Sequence, residues 1–486
     1  MQSQIRIFSQ RVEDYLRPSP VILGAETEIA EVVGRMTAAK ASSALMVDGE
    51  GRLTGIVTEQ DVTRRAAFFC TGTEPASAIM TRPVRSVGVR DYLYRAIASM
   101  RRYGWRHMPV VDGEGRPCGM LDLHDALAIA GAQTLRHVDR IAHDGSLAGL
   151  REIKAAEVDL AEDLFADHVP APDVQALLTD INRDIHRRVL AGALRDMAAA
   201  GYGPPPVDFA AIVMGSGGRG ESFLYPDQDN GFILDDYPDE RHTEIDAFFI
   251  ELAERFTQVL DAIGFPYCLG YVMATNPLWR KTRSQWRHQL RIWGYKRSET
   301  AAQLSDIFFD LRGFWGPEAW VEELRTVALA MVGSSSAFLY ALAGEATRHD
   351  VALGWFGRFV TEQEKPEHKG KIDLKHAGTL PLVSAVRVMA LGHGVAEVST
   401  LGRIAALKEK GVFDADDADY FDGAFHQITH LLLRQQLADF AAGKPVGNYL
   451  HPRRMRKRER DLLIDSLKAI RSLAERVRLD FRGEVF

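Results

Sequence analysis

Apolar positions change their spacing along the chain, and each spacing predicts a different kind of element. Up to about residue 132, short apolar runs are bounded by turn residues. There a Pro-Val strand start (Pro20-Val21, then Pro83-Val84) leads each time into a helical stretch and a short apolar strand. The segment Val47–Val62, VDGEGRLTGIVTEQDV, recurs as Val111–Ala126, VDGEGRPCGMLDLHDA, with Val47 to Arg52 repeated residue for residue. Each unit therefore reads strand, helix, strand, DGEGR hairpin turn, strand, then a helix opening near Asp61 or Asp125. Two such units bury against each other surfaces that neither buries alone.

From Gln133 to Ala200 the spacing becomes three and four, as in LRHVDRIAHDG and VQALLTDINRDIHRRVLAGALRDM, which predicts a helical linker over 133–204. His137, His143, His168 and His186 sit among its charges and are expected to be solvated; no HxxxH or HExxH spacing joins them. GYGPPPVDF (Gly201–Phe209) breaks the pattern and marks a domain boundary. Ala210–Met214 reads as an apolar strand, and beyond Pro317 the pattern is helical to Phe486. Within that region Thr326–Gly344 is uncharged over nearly the length of a membrane span. Its central GSSS predicts two buried helices joined by a turn instead.

Composition narrows the class. A chain of 486 residues holds two to four domains at roughly 100–200 residues each. Hydrophobic residues at 46% and charged residues at 26% exclude collagen-like, disordered and disulfide-scaffold proteins. A formal charge of -7 argues against coating nucleic acid, which requires a broadly basic surface. Cys70, Cys118 and Cys268 are far apart and show no zinc spacing, as expected of a reducing compartment. MQSQIRIFSQRVEDYL has no apolar core segment of a signal peptide, so a cytoplasmic protein without a membrane partner is expected.

The chemistry concentrates in Ala210–Leu234, AAIVMGSGGRGESFLYPDQDNGFIL. Gly215, Ser216, Gly217 and Gly218 form a turn whose small residues permit close backbone approach to a phosphate, and Arg219 follows as a fixed positive donor. Asp227 is expected to open a second strand with Asp229 two positions on, which puts both carboxylates on one face to hold hard divalent cations. Acid pairs beside a glycine-rich turn suit metal-assisted nucleotidyl transfer; no GxxxxGK[ST] is present. Glu221 is set aside as a helix first-turn acid.

The GS turn followed by DxD resembles the polymerase-β-like nucleotidyltransferase superfamily. More closely, GSGGRGE, DQDN, CLGYVMATNPLWR, IFFDLR and IDLKHAGTLPLVSAVRVMAL resemble bacterial CBS-linked nucleotidyltransferases related to the PII-protein uridylyltransferase. The repeated GIVTEQDV unit resembles a tandem cystathionine-β-synthase (CBS) pair over 14–132. The resemblance implies an α+β multidomain chain: the CBS pair, a mixed-sheet catalytic domain over 205–316 and an all-helical substrate-binding domain over 317–486. It further implies Mg²⁺ as cofactor, with Asp310 on a later strand as third metal ligand and catalytic carboxylate beside Asp227 and Asp229. The expected reaction moves a nucleoside monophosphate from ATP or UTP to a protein or small-molecule acceptor. Thr58 and Asp61 would take phosphate and ribose of an adenine nucleotide at the CBS pair, or simply cap a helix; Asp122, standing where Thr58 stands in the first copy, disfavours a second site. A homodimer is expected. The alternative is a non-catalytic nucleotide-sensing signalling module.

Three further features bear on the site. Trp279, Trp286 and Trp293 recur every seven residues and are expected to face a core. The acid-free basic stretch around them, from Arg280 to Arg297, is expected to supply one or two phosphate contacts. HPRRMRKRERD (His451–Asp461) reads as a loop feeding the solvated start of the last helix, and Asp373, Lys375, Arg387 and Asn448 are candidates for the cleft.

Overall fold

Asp48 and Asp112 begin the two DGEGR segments alike. Each carboxylate accepts the backbone N–H groups two and four residues on, at 2.9 Å throughout, and this side-chain turn sets the hairpin. The computed structural model describes residues 11–17, 21–66, 70–91, 93, 96–97, 99–100, 105–122, 146–166, 168–295, 299–348, 350–354 and 357–482. It divides into two units, 1–144 and 145–486.

In the first unit, β1 (Ile22–Gly24), β2 (Ser43–Val47) and β3 (Leu53–Thr58) form one sheet, with α1 (Ile29–Ala38) connecting the parallel pair β1–β2. The second copy repeats the sheet with β4 (Val87–Gly88), β5 (His107–Val111) and β6 (Pro117–Asp122). Register repeats too, Ser43 opposite Thr58 and His107 opposite Asp122. Ile29, Val32 and Met36 recur at helical spacing and bury against Ala44, Met46 and Val57. The helix expected near Asp125, His137 and His143 lie outside the described residues.

The second unit opens with α2 (Leu147–Ala166) and α3 (Ala171–Ala199). A four-stranded mixed sheet follows, in the order β10-β7-β8-β9: β7 (Phe209–Val213), β8 (Asn230–Leu234), β9 (Arg280–Thr282) and β10 (Arg312–Trp315). Only β8 and β9 run parallel. The five-residue helix α4 (Gly215–Arg219) follows β7, while α5 (His242–Ile263), α6 (Arg283–Tyr295) and α7 (Glu299–Asp306) complete the region around the sheet. The helical part comprises α8 (Glu318–Gly333), α9 (Ser336–Ala346), α10 (Leu380–Gly392), α11 (Thr400–Glu409), α12 (Ala415–Ala441) and α13 (Lys457–Arg482). It also holds a small antiparallel pair, β11 (Ile372–Asp373) with β12 (Tyr449–Leu450).

Strand β7 is buried on both faces, and its period of two divides two cores. Phe209 packs edge-on to Phe232 and Phe249 on one face. On the other, Ala210, Ile212 and Met214 join the tryptophans and the helical domain in one continuous cluster that reaches Val477. Trp279, Trp286 and Trp293 are all at most 2% exposed, as expected, and the Trp286 indole donates to the Phe232 carbonyl at 3.0 Å. The GSSS turn also forms as expected, α8 and α9 meeting at 99°; among the described residues no single helix is long and apolar enough to cross a membrane.

The segment expected to be a helical linker belongs, from residue 145 on, to the second unit. Helix α3 packs on α5, β10 and α12 as part of the second unit. His186 on it is buried, with Nδ1 2.7 Å from the Asn182 carbonyl and its ring edge-on to Phe256, Phe265 and Phe314. Helical periodicity located this face; its burial depends on partners far along the chain.

Candidate active site

The turn between β7 and β8 carries the site because its glycines let three segments converge. Gly215 adopts φ +56°, and a Cβ there would stand 2.8 Å from Asp229 Oδ2. A Cβ on Gly218 would stand 1.6 Å from the Asp310 carbonyl oxygen. The Met214 N–H donates to the Asp229 carbonyl at 2.9 Å, and Glu221 N–H to the Ser216 carbonyl at 2.9 Å, which fixes the turn against the acid segment.

Asp227 and Asp229 lie in the extended residues just ahead of β8 and do not open it. The expected convergence nevertheless holds: ligand atoms of Asp227, Asp229 and Cys268 all lie within 4.8 Å of one another. Burial, then the Asp227 charge, push the Asp229 carboxyl up to about 7. Burial and Asp229 push the Cys268 thiol up to about 11, so it stays protonated. Asp229 Oδ1 is shielded from solvent and accepts no hydrogen bond. Both acids line a narrow cavity of about 30 Å³, water- or ion-sized, with Thr179, Asn182 and Arg183 of α3 on its far wall. An unsatisfied carboxylate oxygen beside a second carboxylate fits a hard divalent cation; the thiol, soft and protonated, does not compete for it.

Asp310 departs from expectation. It ends a 3-10 turn, Ile307–Asp310, two residues before β10, and its fully buried carboxylate is not among the gathered ligand atoms. It is already saturated. Arg387 donates at 3.1 and 2.6 Å, Arg219 at 2.5 Å, and Arg403 stands 2.8 Å away. Burial would raise this carboxyl; the Arg387, Arg403 and Arg219 guanidiniums outweigh it and hold the group well below the usual carboxylate range. The strand paired in parallel with β8 carries Arg280 and Lys281, not an acid.

Arg219 is likewise committed inward, 2.6 Å from Glu221 and 2.5 Å from Asp310, with its side chain only 10% exposed. The phosphate role read for it is therefore replaced by an ionic one. Asp306, partly exposed, pairs with Arg387, so three cations (Arg219, Arg387, Arg403) meet three anions (Glu221, Asp306, Asp310) in a charge-balanced, largely buried cluster. Glu221 extends it: its other oxygen accepts the Thr400 N–H at the start of α11 at 2.6 Å. Of the cleft candidates, Lys375 sets positive charge toward Asp229, as does Arg219 from the turn. Asn448 accepts from Leu374 N–H and from the Gln436 amide, and Gln436 in turn accepts the Leu224 N–H. Gln436, Thr400, Arg403 and Arg183 were not singled out from the sequence, and no local pattern marks them.

In the first unit Thr58 and Asp61 form a capping box. The Asp61 N–H donates to Thr58 Oγ1 at 3.3 Å, and Asp61 Oδ2 accepts from Thr58 N–H and Oγ1 at 3.0 and 2.7 Å. Asp61 Oδ1 takes Thr81 at 3.1 Å and lies 3.3 Å from Arg65. Asp122 stands 3.4 Å from Arg106 and 3.6 Å from His107.

Three family models tile the chain. The model described as "Putative nucleotidyltransferase DUF294" matches residues 156–300, its "substrate binding domain" 336–481, and the CBS-domain model 12–67 and 76–131. The chain belongs to the CBS-linked DUF294 nucleotidyltransferase family. Among curated relatives, an uncharacterized 17.7 kDa protein of Acidianus ambivalens is 28% identical over 22% of this chain and 66% of its own length. A CBS domain-containing protein of Arabidopsis thaliana is 27% identical over 43% and 36%. The chain thus spans from about a quarter to two thirds of the length of the curated relatives it matches. Among solved structures, a CBS protein of Pyrobaculum aerophilum complexed with AMP is 26% identical, covering 27% of this chain and 98% of its own, with a TM-score of 0.24. A CBS pair complexed with methylthioadenosine and S-adenosyl-L-methionine is 24% identical, covering 25% and 94%, with a TM-score of 0.23.

Proposed function

We propose that this family member transfers a nucleoside monophosphate from ATP or UTP to a protein or small-molecule acceptor, with Asp227 and Asp229 as the catalytic carboxylates. The observation that carries the reading is the pairing of Asp227 with Asp229, which has one buried oxygen unsatisfied and the other against Gly215. These two acids would hold Mg²⁺, which when bound neutralises phosphate charge and orients in-line attack. The Gly215–Gly218 backbone admits the triphosphate close to the acids, with Ser216 on the same turn. In the transfer, the acceptor's nucleophile bonds to the α-phosphorus, the bond to the bridging oxygen breaks, and pyrophosphate leaves. Asp310 acts here as a positioning residue: through Arg219 and Glu221 it holds the turn that faces Asp229. Lys375 adds positive charge toward the triphosphate.

The CBS pair supplies regulation in this reading, by one adenine nucleotide per chain at Thr58 and Asp61. Engagement of ribose by Asp61 exchanges its present bonds to Thr58 and Thr81 for ligand hydroxyls. Association of CBS pairs side by side makes a homodimer the expected assembly; a monomer at micromolar concentration in sedimentation would oppose it.

The second reading, a nucleotide-sensing module without catalysis, draws on one observation: among the described residues the acid cluster gathers two carboxylates and a thiol, and no third carboxylate. Incubation of the purified chain with lysate, Mg²⁺ and labelled nucleoside triphosphates separates the two. Label appearing on a protein or metabolite with the intact chain and not with Asp229→Asn supports transfer; nucleotide binding tightened by Mg²⁺ with no label under any condition leaves the sensing reading.

A further inference from the structure

A cleft of about 540 Å³ lies at the end of the sheet opposite the acid pair, and neither the catalytic nor the regulatory reading uses it. Strand β8 separates the two places: Asn230, next to Asp229, is at one end, and Leu234, in the cleft wall, is at the other. Four residue steps of about 3.4 Å put them roughly 14 Å apart, too far for one phosphate to serve both. The volume falls in the range of small-molecule sites, about 300–1,000 Å³.

The charges on the wall do not cancel. Arg280 is neutralised, its Nε 3.0 Å from Asp246, with a further bond to the Ala274 carbonyl at 2.6 Å. Lys281 follows it on β9 and lines the same cleft. No carboxylate among the described residues pairs with Lys281, and burial alone lowers its pKa, with no compensating charge. With Asp246 spent on Arg280, the wall is left with one net positive charge before its imidazoles are counted. His242, stacked on Tyr237 with Nδ1 3.1 Å from the phenol oxygen, and exposed His288 each bring a ring N–H donor to the wall.

A half-buried ammonium without a counter-ion costs free energy that an anionic ligand recovers. From this geometry we propose that the cleft between β9 and the starts of α5 and α6 binds a phosphate group, with Lys281 as its principal contact and His242 and His288 beside it. The site is distinct from the proposed Asp227–Asp229 centre, and it stands whether or not that centre transfers nucleotides.

Differential acylation of lysines in the full chain, read by mass spectrometry, tests this directly. Titration with inorganic phosphate at constant ionic strength should protect Lys281 saturably, and His288→Ala should raise the half-saturating concentration about tenfold, as for one lost charge-assisted contact. AMP protecting Lys281 at lower concentration than inorganic phosphate would place a nucleotide's phosphate there; equal protection by both would mean that the phosphate group alone is read. In Asp227→Asn the protection should persist unchanged. Equal protection by chloride, no protection by phosphate or AMP, or its disappearance in Asp227→Asn overturns the proposal.

Discussion

Asp310 and Arg387, 77 residues apart, form a bidentate ion pair at 3.1 and 2.6 Å in which neither side chain is more than 3% exposed. Removing one partner of such a pair strands the other charge away from water. Asp310→Asn is therefore expected to cost roughly 3–5 kcal/mol of stability, because Arg387, Arg403 and Arg219 all lose their common anion. Thermal melting checks this; an unchanged Tm would return Asp310 to the role of a catalytic carboxylate.

Asp227→Asn and Asp229→Asn should behave oppositely to Asp310→Asn. Transfer should fall on the order of 10² to 10⁴-fold, as for loss of a positioned catalytic group, with the fold retained. Asp229→Asn should also raise Tm above pH 7, since it removes a charge that burial and Asp227 both oppose. Side-by-side melts and labelled-nucleotide assays decide it; full activity in Asp229→Asn would remove the assignment.

The Asp229 carboxyl, pushed up to about 7, must lose its proton before it takes a cation. Mg²⁺ affinity should therefore fall as pH drops below about 7, by roughly tenfold per unit for one competing proton. The stability effect has the matching sign: the folded chain binds this proton more tightly than the unfolded one, so Asp229 becomes destabilising as pH rises from the ordinary carboxylate value toward 7. Calorimetric Mg²⁺ titrations at pH 6, 7 and 8 read the first effect, and a flat affinity would contradict it.

Burial holds His186 down to about 4. The unfolded chain takes its proton near 6.5 while the folded one does not, so this contribution is complete above about 6.5 and fades as pH falls toward 4, a loss of on the order of 3 kcal/mol. Chemical denaturation between pH 4 and 7 should show the slope, and His186→Leu should flatten it.

Thr58→Val should abolish adenine-nucleotide binding at the first unit and, by breaking the capping box, cost about 1 kcal/mol. Substitution of Asp122 should leave nucleotide binding intact. Titration with AMP of the full chain carrying both Asp229→Asn and Lys281→Ala isolates this site; two equal sites, or none in the Thr58-intact chain, would contradict the reading.

What could be read from the residues in order was local. The DGEGR repeat, the heptad of tryptophans and the GSSS turn each arise from spacings within one or two elements, and each took the form its spacing predicts. The acid pair was legible because two carboxylates two residues apart need only an extended backbone to converge. The fate of Asp310 and Arg219 was not, because Arg387 and Arg403 approach from α10 and α11 with no shared period to announce them. His186 illustrates the same limit: its neighbours in sequence are charged, while its neighbours in space are phenylalanines.

The largely buried six-charge cluster has a practical corollary for anyone wishing to express the catalytic sheet by itself. The two family models leave residues 301–335 unclaimed between them, which invites truncation there. A fragment ending at Gly316 would keep Arg219, Glu221, Asp306 and Asp310 but lose Arg387, Arg403 and Thr400, turning a neutral cluster of three and three into one cation against three anions. The helical region is thus a counter-charge built into the catalytic one. A soluble, well-ordered product calls for both on one chain.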